Sequence, residues 1–374
     1  MNSKSKLSLI LLISFLLLPL GCSTKKNDQK LNNANDALIG VKIYQVDEAK
    51  PIQDLFEEWN TLGINTAFVS EELLADPEFR ELAHANSVKL FVILPIFYAP
   101  EKLEKRPELY AVTKDGSRAE NDWVKFVCPT REEYNRERKD ELVKLIRDYD
   151  PDGISLDFIR FFVFWEKVYP EDTLESLPDS CFDDSCLKKF QAEKGIQIPD
   201  HLTSVQEIAA WITANYRQEW ADWKCSIING MVGSIAREAR QIKPDILINI
   251  HMVPWRENDY SGAQRSIAGQ DPAALAAFSD YLSPMCYFHM LKRKPSWVNS
   301  VVNDLKERSS AKILPSIQVA KAYLDTEVSP ADFREALTEA LKPPSSGVVF
   351  WSWDALQKSP EKREIVREVI DSKN

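Results

Sequence analysis

The stretch from Asp152 to Arg160 (DGISLDFIR) has the clearest spacing of residues that can do chemistry. A turn followed by alternating side chains predicts a strand that presents Asp157 near its C-terminal end. A carboxylate in that place can act as a nucleophile, as a general acid or base, or as a charge that stabilises a cationic transition state. Arg160 can hold Asp157 ionised. The alternative is a buried Asp–Arg pair that only orders the fold.

Acid–base chemistry of this kind usually needs a second carboxyl group. Glu257, in the segment Pro-Trp-Arg-Glu after a later apolar run, is the preferred catalytic partner, and Asp354 is the next choice. Asp122 and Asp271 are further loop carboxylates in suitable places. Each of the four, taken alone, can equally be a solvated surface group.

Other side chains can bind a substrate near Asp157. His251 can carry a proton or bind a hydroxyl group, and a buried histidine with satisfied hydrogen bonds explains it equally well. Lys42 and Tyr287 can donate hydrogen bonds into the same space. Of the tryptophans, two share one predicted strand, so we expect one of that pair to be core. The remaining candidates for substrate contact are Asp122, Trp123, Arg160, Gln318, Trp351 and Trp353.

Eight short apolar runs alternate with amphipathic, helix-like stretches, and this order predicts a parallel sheet. Eight strands favour closure as a (β/α)₈ TIM barrel, whereas an open doubly wound sheet is the alternative. Long insertions follow the third run (roughly 98–130) and the fourth (roughly 162–199), at strand C-termini where barrel enzymes build their sites. The runs are Ile39–Tyr44, Asn65–Val69, Lys89–Phe97, Gly153–Phe161, Ile246–Val253, Tyr281–Phe288, Ile313–Val319 and Gly347–Trp353.

The alternation within these strands predicts a polar pocket. In the fourth run Ile154, Leu156 and Phe158 share the face expected to pack on helices, so Ser155 and Asp157 share the other. The fifth run likewise places Asn249 and His251 opposite its apolar residues, and the seventh places Ser316 and Gln318 opposite Ile317 and Val319. Isolated polar groups inside a barrel are costly, so several that converge at one end predict a pocket.

The N-terminal segment predicts export. Lys4 and Lys6 precede an apolar run, 7–18, which suits a secretory signal but is too short for a membrane span of roughly 20 residues. The following Leu-Pro-Leu-Gly-Cys resembles a bacterial lipobox, in which the signal is cut before Cys22 and the thiol takes a lipid anchor such as palmitate. An ordinary signal peptide is the alternative. We therefore expect a signal at 1–21, a polar tether at 22–36 and one barrel domain at 37–374, held at a membrane face of the cell envelope.

Composition excludes several classes of protein. The formal net charge is −10 and no basic stripe is visible, so nucleic acid is not an expected partner. No Gly-rich phosphate loop and no Gly-x-Ser-x-Gly elbow occur, so no cofactor is expected. The four histidines lack metal spacing, and no metal site is expected. Cys181 and Cys186, five apart in a polar loop, are a disulfide candidate in an oxidising compartment.

The Asp-Gly-x-x-x-Asp-Phe-x-Arg pattern at 152–160 resembles the fourth-strand signature of a family of glycoside-hydrolase-like TIM barrels that are often exported. Other segments resemble parts of the same family in the same order: 123–130 (WVKFVCPT), 181–199 with its paired cysteines, 269–271 (GQD) and 283–287 (SPMCY). The resemblance covers most of the chain after about residue 38. It implies a (β/α)₈ barrel that acts on glycans.

A fainter likeness to glycoside hydrolase family 18 rests on Asp157, on Met285 with Tyr287, and on Trp351 or Trp353. The sequence departs from that family's pattern, because Ser155 and Ile159 stand where it has an aspartate and the catalytic glutamate, and Phe288 where it has another aspartate. The acid that protonates the leaving group is therefore missing from its usual place.

Together these observations predict a lipid-anchored glycoside hydrolase centred on Asp157 that takes a polysaccharide or glycan substrate. Two alternatives stay open. A non-catalytic carbohydrate-binding lipoprotein would keep the aromatic residues without a second carboxyl group. An envelope scaffold would show an apolar surface patch and no convergent polar groups.

Overall fold

The computed structural model describes residues 37–47 and 49–373. The predicted signal peptide, Cys22 and the tether lie outside the described residues. From Ala37 onward the chain forms the expected barrel, and its elements are numbered here in chain order. Among the described residues, no helix has the length and apolar character needed to cross a bilayer.

Eight parallel strands form a closed ring, as predicted. Each pairs with the next one along the chain, and the first also pairs with the last, which excludes the open sheet. The seventh comes in two segments because Pro315 has no N–H to contribute to the ladder. The strands are β1 Leu38–Ile43, β2 Thr66–Val69, β3 Lys89–Pro95, β4 Gly153–Asp157, β5 Leu247–Met252, β6 Tyr281–Cys286, β7 Lys312–Ile313 with Ser316–Gln318, and β8 Gly347–Trp351.

Helices surround the ring. Residues 205–242 form two helices, separated by Tyr216. In order they are α1 Ile52–Thr61, α2 Glu71–Ala75, α3 Pro77–Ala85, α4 Pro100–Lys105, α5 Glu132–Tyr149, α6 Asp184–Lys194, α7 Val205–Asn215, α8 Arg217–Ile242, α9 Ala263–Ser266, α10 Pro272–Leu275, α11 Trp297–Arg308, α12 Pro330–Ala340, α13 Trp353–Gln357 and α14 Pro360–Asp371.

An apolar plug fills the N-terminal end of the barrel interior. Phe68 and Phe91 stack there with ring centroids 5.0 Å apart. A Cβ at Gly153 would lie 2.4 Å from the Phe91 ring, so only glycine fits beside it. Burying each such side chain contributes about 1.5–3 kcal/mol. The plug consists of Leu38, Phe68, Phe91, Leu314 and Val349.

The outward face of β4 packs as predicted for Ile154 and Leu156, which are fully buried in the main core. Phe158 is different. Its φ of +49° turns the chain immediately after Asp157, so the strand ends there instead of running on to Phe161. The Phe158 ring then stacks on Tyr98 in the insertion after β3, with centroids 4.7 Å apart. The expectation that Phe158 packs against helices beside Ile154 and Leu156 is wrong for this reason.

The two predicted insertions pack on each other at the C-terminal end of the barrel. The first contains α4 and a small hairpin, Glu120–Asn121 with Val124–Lys125. A β-bridge between Thr113 and Ser180 joins it to the second. The second is also held to α8 by a buried ion pair between Asp179 and Lys224. The C-terminal mouth therefore has walls that are tied to the outer helices.

Candidate active site

Asp157 is the last residue of β4, and its side chain is 16% exposed. The N–H of Phe158 donates a 2.7 Å hydrogen bond to Oδ1. The left-handed turn at Phe158 therefore has two effects: it ends the strand and it orients the carboxylate. The structure places Asp157 at the C-terminal end of the barrel, open to solvent, as the sequence predicts.

Lys42 and His251 are the basic side chains that neighbour Asp157. His251 Nδ1 lies 3.6 Å from Asp157 Oδ2. Burial alone would raise the pKa of Asp157, but attraction to His251 and Lys42 and the Phe158 N–H outweigh burial, so its pKa is lowered. Burial lowers the pKa of Lys42 to about 8 against the opposing effect of Asp157. At neutral pH Asp157 is an anion beside a lysine that is still mostly protonated.

His251 is a neutral, hydrogen-bonded base inside the barrel. Burial and the charge of Lys42 lower its pKa to about 3, although Asp157 opposes them. Its Nδ1 lies 3.1 Å from Lys42 Nζ and its Nε2 lies 2.7 Å from Ser155 Oγ. Since an ammonium group can only donate, Nδ1 is the acceptor and the proton is on Nε2. Ser155 also accepts from Asn249 at 2.8 Å, which completes the polar layer predicted by strand alternation.

Tyr287 lines the opposite side of this layer. Its hydroxyl accepts hydrogen bonds from Lys42 at 3.1 Å and from Ser316 at 3.4 Å. Its ring stacks on Trp351, with centroids 4.4 Å apart and planes 18° from parallel, and it also contacts Trp165. Trp351 is partly exposed, so it offers an aromatic face at the mouth.

Glu166 is a second acidic group that the sequence did not single out. It lies in the short helical turn Trp165–Lys167 of the second insertion and is 8% exposed. Burial raises its pKa to about 7; the positive charge of Arg160 opposes this and the negative charge of Asp157 adds to it. Its Oε2 is buried and has no hydrogen-bond partner among the described residues. Glu166 therefore has the properties of a proton donor that acts within the field of Asp157.

Arg160 does not form an ion pair with Asp157. Its guanidinium is buried, donates to the carbonyl oxygen of Val163 at 2.8 Å, and lies between the rings of Phe126 and Phe158. Burial lowers its pKa, and the charges of Glu166 and Asp157 oppose this. Arg160 thus supports the insertion and contributes positive charge from a short distance, without contact to the carboxylate.

Aromatic rings form the rim of the mouth. Trp123 is 39% exposed and Tyr323 is 42% exposed, and Trp123 Nε1 donates to the Tyr323 hydroxyl at 2.8 Å. Trp123 also contacts the rings of Tyr98, Phe158 and Phe164. We call Trp123 and Tyr323 the aromatic rim. Rings with one exposed face can stack on sugars, whose C–H groups present an apolar surface.

Asp122 neighbours this rim but is exposed and pairs with Lys167 at 3.2 Å. The pair joins the hairpin of the first insertion to the turn that carries Glu166. Asp354 begins α13, directly after β8. Desolvation by the surrounding chain raises the pKa of Tyr44, and the charges of Asp157 and Asp354 raise it further. Both carboxylates therefore lie near that phenol.

Other predicted site residues lie elsewhere. Glu257 is exposed, and its N–H bonds to Asp304 of α11 at 3.0 Å, so no described contact links it to Asp157. Gln318 uses its amide for the Met290 N–H and the Ala320 carbonyl. Trp353 packs edge-on against Trp59 of α1 and is core, which leaves Trp351 as the exposed member of the pair.

Asp271 caps α10 and pairs with Arg265. The adjacent Gln270 is fully buried and donates to the His251 carbonyl at 2.9 Å. This segment therefore holds the end of β5 in place instead of supplying an acid.

The predicted Cys181–Cys186 disulfide is not formed, because both residues are free thiols. Cys128 from the first insertion lies beside both, with its Sγ 3.1 Å from that of Cys186. Cys128 is far from Cys181 and Cys186 in the sequence, so the sequence alone does not indicate that the three thiols meet.

Comparison with known proteins gives a fold but no family. No family model and no curated sequence matches the chain. Among solved structures, the PgaB (BpsB) glycoside hydrolase domain from Bordetella bronchiseptica superposes with a TM-score of 0.65 at 12% identity, covering 90% of this chain and 98% of that one. The β-galactosidase from the psychrophilic Marinomonas ef1 gives 0.63 at 11%, covering 89% and 59%. The β-galactosidase from Bacillus circulans sp. alkalophilus gives 0.63 at 13%, covering 90% and 56%.

The fold is thus the TIM barrel that these glycoside hydrolases share. The chain spans somewhat over half the length of the two β-galactosidase chains. The expected (β/α)₈ architecture is confirmed.

Proposed function

We propose that this protein is a glycoside hydrolase in which Asp157 and Glu166 act together on a glycan. The observation that carries the proposal is a pair of carboxyl groups. Asp157, at the end of β4, is ionised and accessible to solvent, and the negative charge of Asp157 helps to raise the pKa of the buried Glu166. Their pKa values move in opposite directions, which is the usual arrangement for two carboxyl groups that take different roles. The glycoside hydrolase fold of the solved structures supports it.

The mechanism follows from those roles. Glu166, whose pKa of about 7 leaves a substantial protonated fraction at neutral pH, donates its proton to the glycosidic oxygen as the bond from that oxygen to the anomeric carbon breaks. Asp157 stabilises the positive charge that develops at the anomeric carbon. Water then supplies a hydroxyl group to the anomeric carbon and returns a proton to Glu166. Ile159 stands where glycoside hydrolase family 18 has its catalytic glutamate. In this proposal Glu166, seven residues later in the second insertion, takes the role of that acid.

The surrounding residues have supporting roles. Lys42 keeps Asp157 ionised, and neutral His251 holds Lys42 in place through Nδ1. The aromatic rim and Trp351 offer faces on which sugar rings can stack. Asp354 remains a candidate for contact with a substrate hydroxyl near Tyr44.

The test is a screen of the purified protein on diverse glycans, followed by Asp157→Asn and Glu166→Gln on any substrate found. A hydrolase loses turnover in both variants and keeps its affinity. Glu257→Gln is the matched control, because that carboxylate is exposed and remote from the contacts of Asp157. Turnover that survives Glu166→Gln but not Glu257→Gln would overturn this assignment of the acid.

A non-catalytic carbohydrate-binding protein is the second candidate, and the exposed aromatic rim favours it. It predicts glycan binding with no turnover before or after Asp157→Asn. Binding lost in Trp123→Ala without any hydrolysis by the parent protein would establish this alternative.

We also propose that the chain is exported and lipidated at Cys22, on the strength of the lipobox-like sequence alone. Labelled palmitate should be incorporated into the full chain and not into Cys22→Ala. Processing without label would indicate an ordinary signal peptide.

A further inference from the structure

A compact group of metal-binding side chains lies in the insertions, and the proposed hydrolytic mechanism makes no use of it. It consists of Cys128, Cys181, Asp183 and Cys186, and the donor atoms lie within 4.8 Å of one another. The three cysteines are fully buried, and the Asp183 side chain is 10% exposed. We call these four residues the thiol cluster.

The donor atoms of the thiol cluster lie close to one another. Cys128 Sγ lies 3.1 Å from Cys186 Sγ, and Cys181 Sγ lies 3.0 Å from Asp183 Oδ2. The residues come from both insertions, with Cys128 ahead of α5 and the other three around the start of α6. Asp183 adds a carboxylate oxygen to the three sulfur donors, and it also caps the start of α6.

The surroundings support negative charge at this place. The Val112 N–H donates to Cys181 Sγ at 3.3 Å, and the Cys186 N–H donates to Asp183 Oδ1 at 2.9 Å. Arg131 pairs with Asp183 Oδ2 at 3.2 Å. Ligands of a metal centre are commonly held by such outer hydrogen bonds and charges.

We propose that the thiol cluster is a structural zinc site with three thiolates and one carboxylate as ligands. Three sulfurs with one oxygen suit the tetrahedral preference of Zn²⁺, and full burial without an open position is typical of a structural centre. Binding would release the thiol protons, and the ion would offset much of the ligand charge. The sequence predicts no metal site because the four histidines lack metal spacing, but the fold brings Cys128 to Cys181, Asp183 and Cys186.

The site would fasten the two insertions to each other. Cys128 follows the hairpin that carries Trp123, and Cys181 follows the segment that carries Glu166. An ion that bridges them would hold the aromatic rim and the proposed proton donor in fixed relation. This proposal does not depend on the glycosidase assignment, since the ligands lie outside the polar layer around Asp157.

The experiment uses the full chain, purified under reducing conditions and without chelators, with zinc measured by elemental analysis. We expect about one Zn²⁺ per chain. Replacement by Co²⁺ should give visible ligand-field bands and thiolate-to-cobalt charge transfer. Cys128→Ser should lower bound zinc at least tenfold. Cys225→Ser is the matched control, because it removes an equally buried thiol outside the cluster and should leave zinc unchanged.

A measurement on the unaltered protein guards against a variant that fails to fold. Zinc should protect Cys128, Cys181 and Cys186 from alkylation, as mapped by mass spectrometry, and a chelator should remove that protection while Cys225 and Cys286 stay unchanged. Two results would overturn the proposal. One is a chain that takes up no metal after reconstitution with Zn²⁺ under reducing conditions. The other is a native disulfide between two of the three cysteines.

Discussion

The two ends of the barrel interior have opposite chemistry, although the same strands build both. At the N-terminal end β1 contributes Leu38 to the apolar plug, and four residues later it contributes Lys42 to the polar layer. Every large group in the plug is apolar and buried, whereas the polar layer holds charges that need partners. The side chains that stabilise the barrel and those proposed to react are therefore separated along the barrel axis, so substitutions at the two ends should change different measurements.

The largest expected effect is on catalysis at the mouth. If the proposed mechanism holds, Asp157→Asn should lower kcat by about 10⁴-fold, because the charge that stabilises the transition state is lost. The free energy of unfolding should change by less than about 1 kcal/mol, since the Asn oxygen can still accept from the Phe158 N–H. Steady-state kinetics and denaturant unfolding measure the two quantities. A large loss of stability in Asp157→Asn with an unchanged kcat would show instead that the polar layer stabilises the fold and does not take part in catalysis.

The opposite pattern is expected in the plug. Phe91→Ala should destabilise the protein by about 3–5 kcal/mol through lost burial and a cavity beside Gly153 and Phe68. The kcat of the molecules that remain folded should stay within about twofold, because the polar layer is made by other side chains. Phe91→Leu is the milder control, and it should recover more than half of the loss. An equal fall in kcat would show that the two layers are coupled.

The pH dependence of kcat/KM tests the roles assigned to Glu166 and Asp157. In the proposed mechanism Glu166 must be protonated, so kcat/KM should fall about tenfold per pH unit as pH rises above the pKa of Glu166, which is raised to about 7. The mechanism also needs Asp157 ionised. The pKa of Asp157 is lowered, so the acid-side loss should come only below its ordinary value of 3.8. A pH–rate profile of the parent and of Asp354→Asn should agree, and a profile that is flat through pH 7 would exclude Glu166 as the acid.

The smallest effect belongs to the aromatic rim. Trp123→Ala should raise KM by a factor that corresponds to about 1 kcal/mol, because one stacking face and the hydrogen bond to Tyr323 are lost. Trp123→Phe keeps a ring and should recover part of the affinity. Both should leave kcat nearly unchanged, since Trp123 touches neither Asp157 nor Glu166 through any described hydrogen bond. A fall in kcat without a change in KM would place the ring closer to the reaction than the rim.

The sequence was sufficient for the architecture and for the centre of the site. Strand periodicity is a local signal, and parity within β4 and β5 placed Ser155, Asp157, Asn249 and His251 on the inner face. Closure followed from the count of strands.

Long-range arrangement was not readable from the sequence. Glu166 lies in an aromatic run (FFVFWEK) that is typical of a core segment, and only the fold of the insertion brings it within the electrostatic influence of Asp157. The sequence favours Glu257 because it closely follows β5. In the structure the loop after β5 packs on α11, where the Glu257 N–H bonds to Asp304, and the Glu257 side chain is exposed. Phe158 does not share the outward face of Ile154 and Leu156 because its own backbone is left-handed. Cys128 met Cys181 and Cys186 only through packing between the insertions.

The buried pair of Asp179 and Lys224 also sets an order of events during synthesis. The lysine is made 45 residues after the aspartate, so the nascent second insertion has no counter-ion until α8 has emerged and docked. A chain that stops before α8 would lack the lysine that pairs with this buried carboxylate, and burying a charge without its ionic partner is costly. We therefore expect the second insertion, which also carries Glu166, to reach its final packing only after α8 has docked.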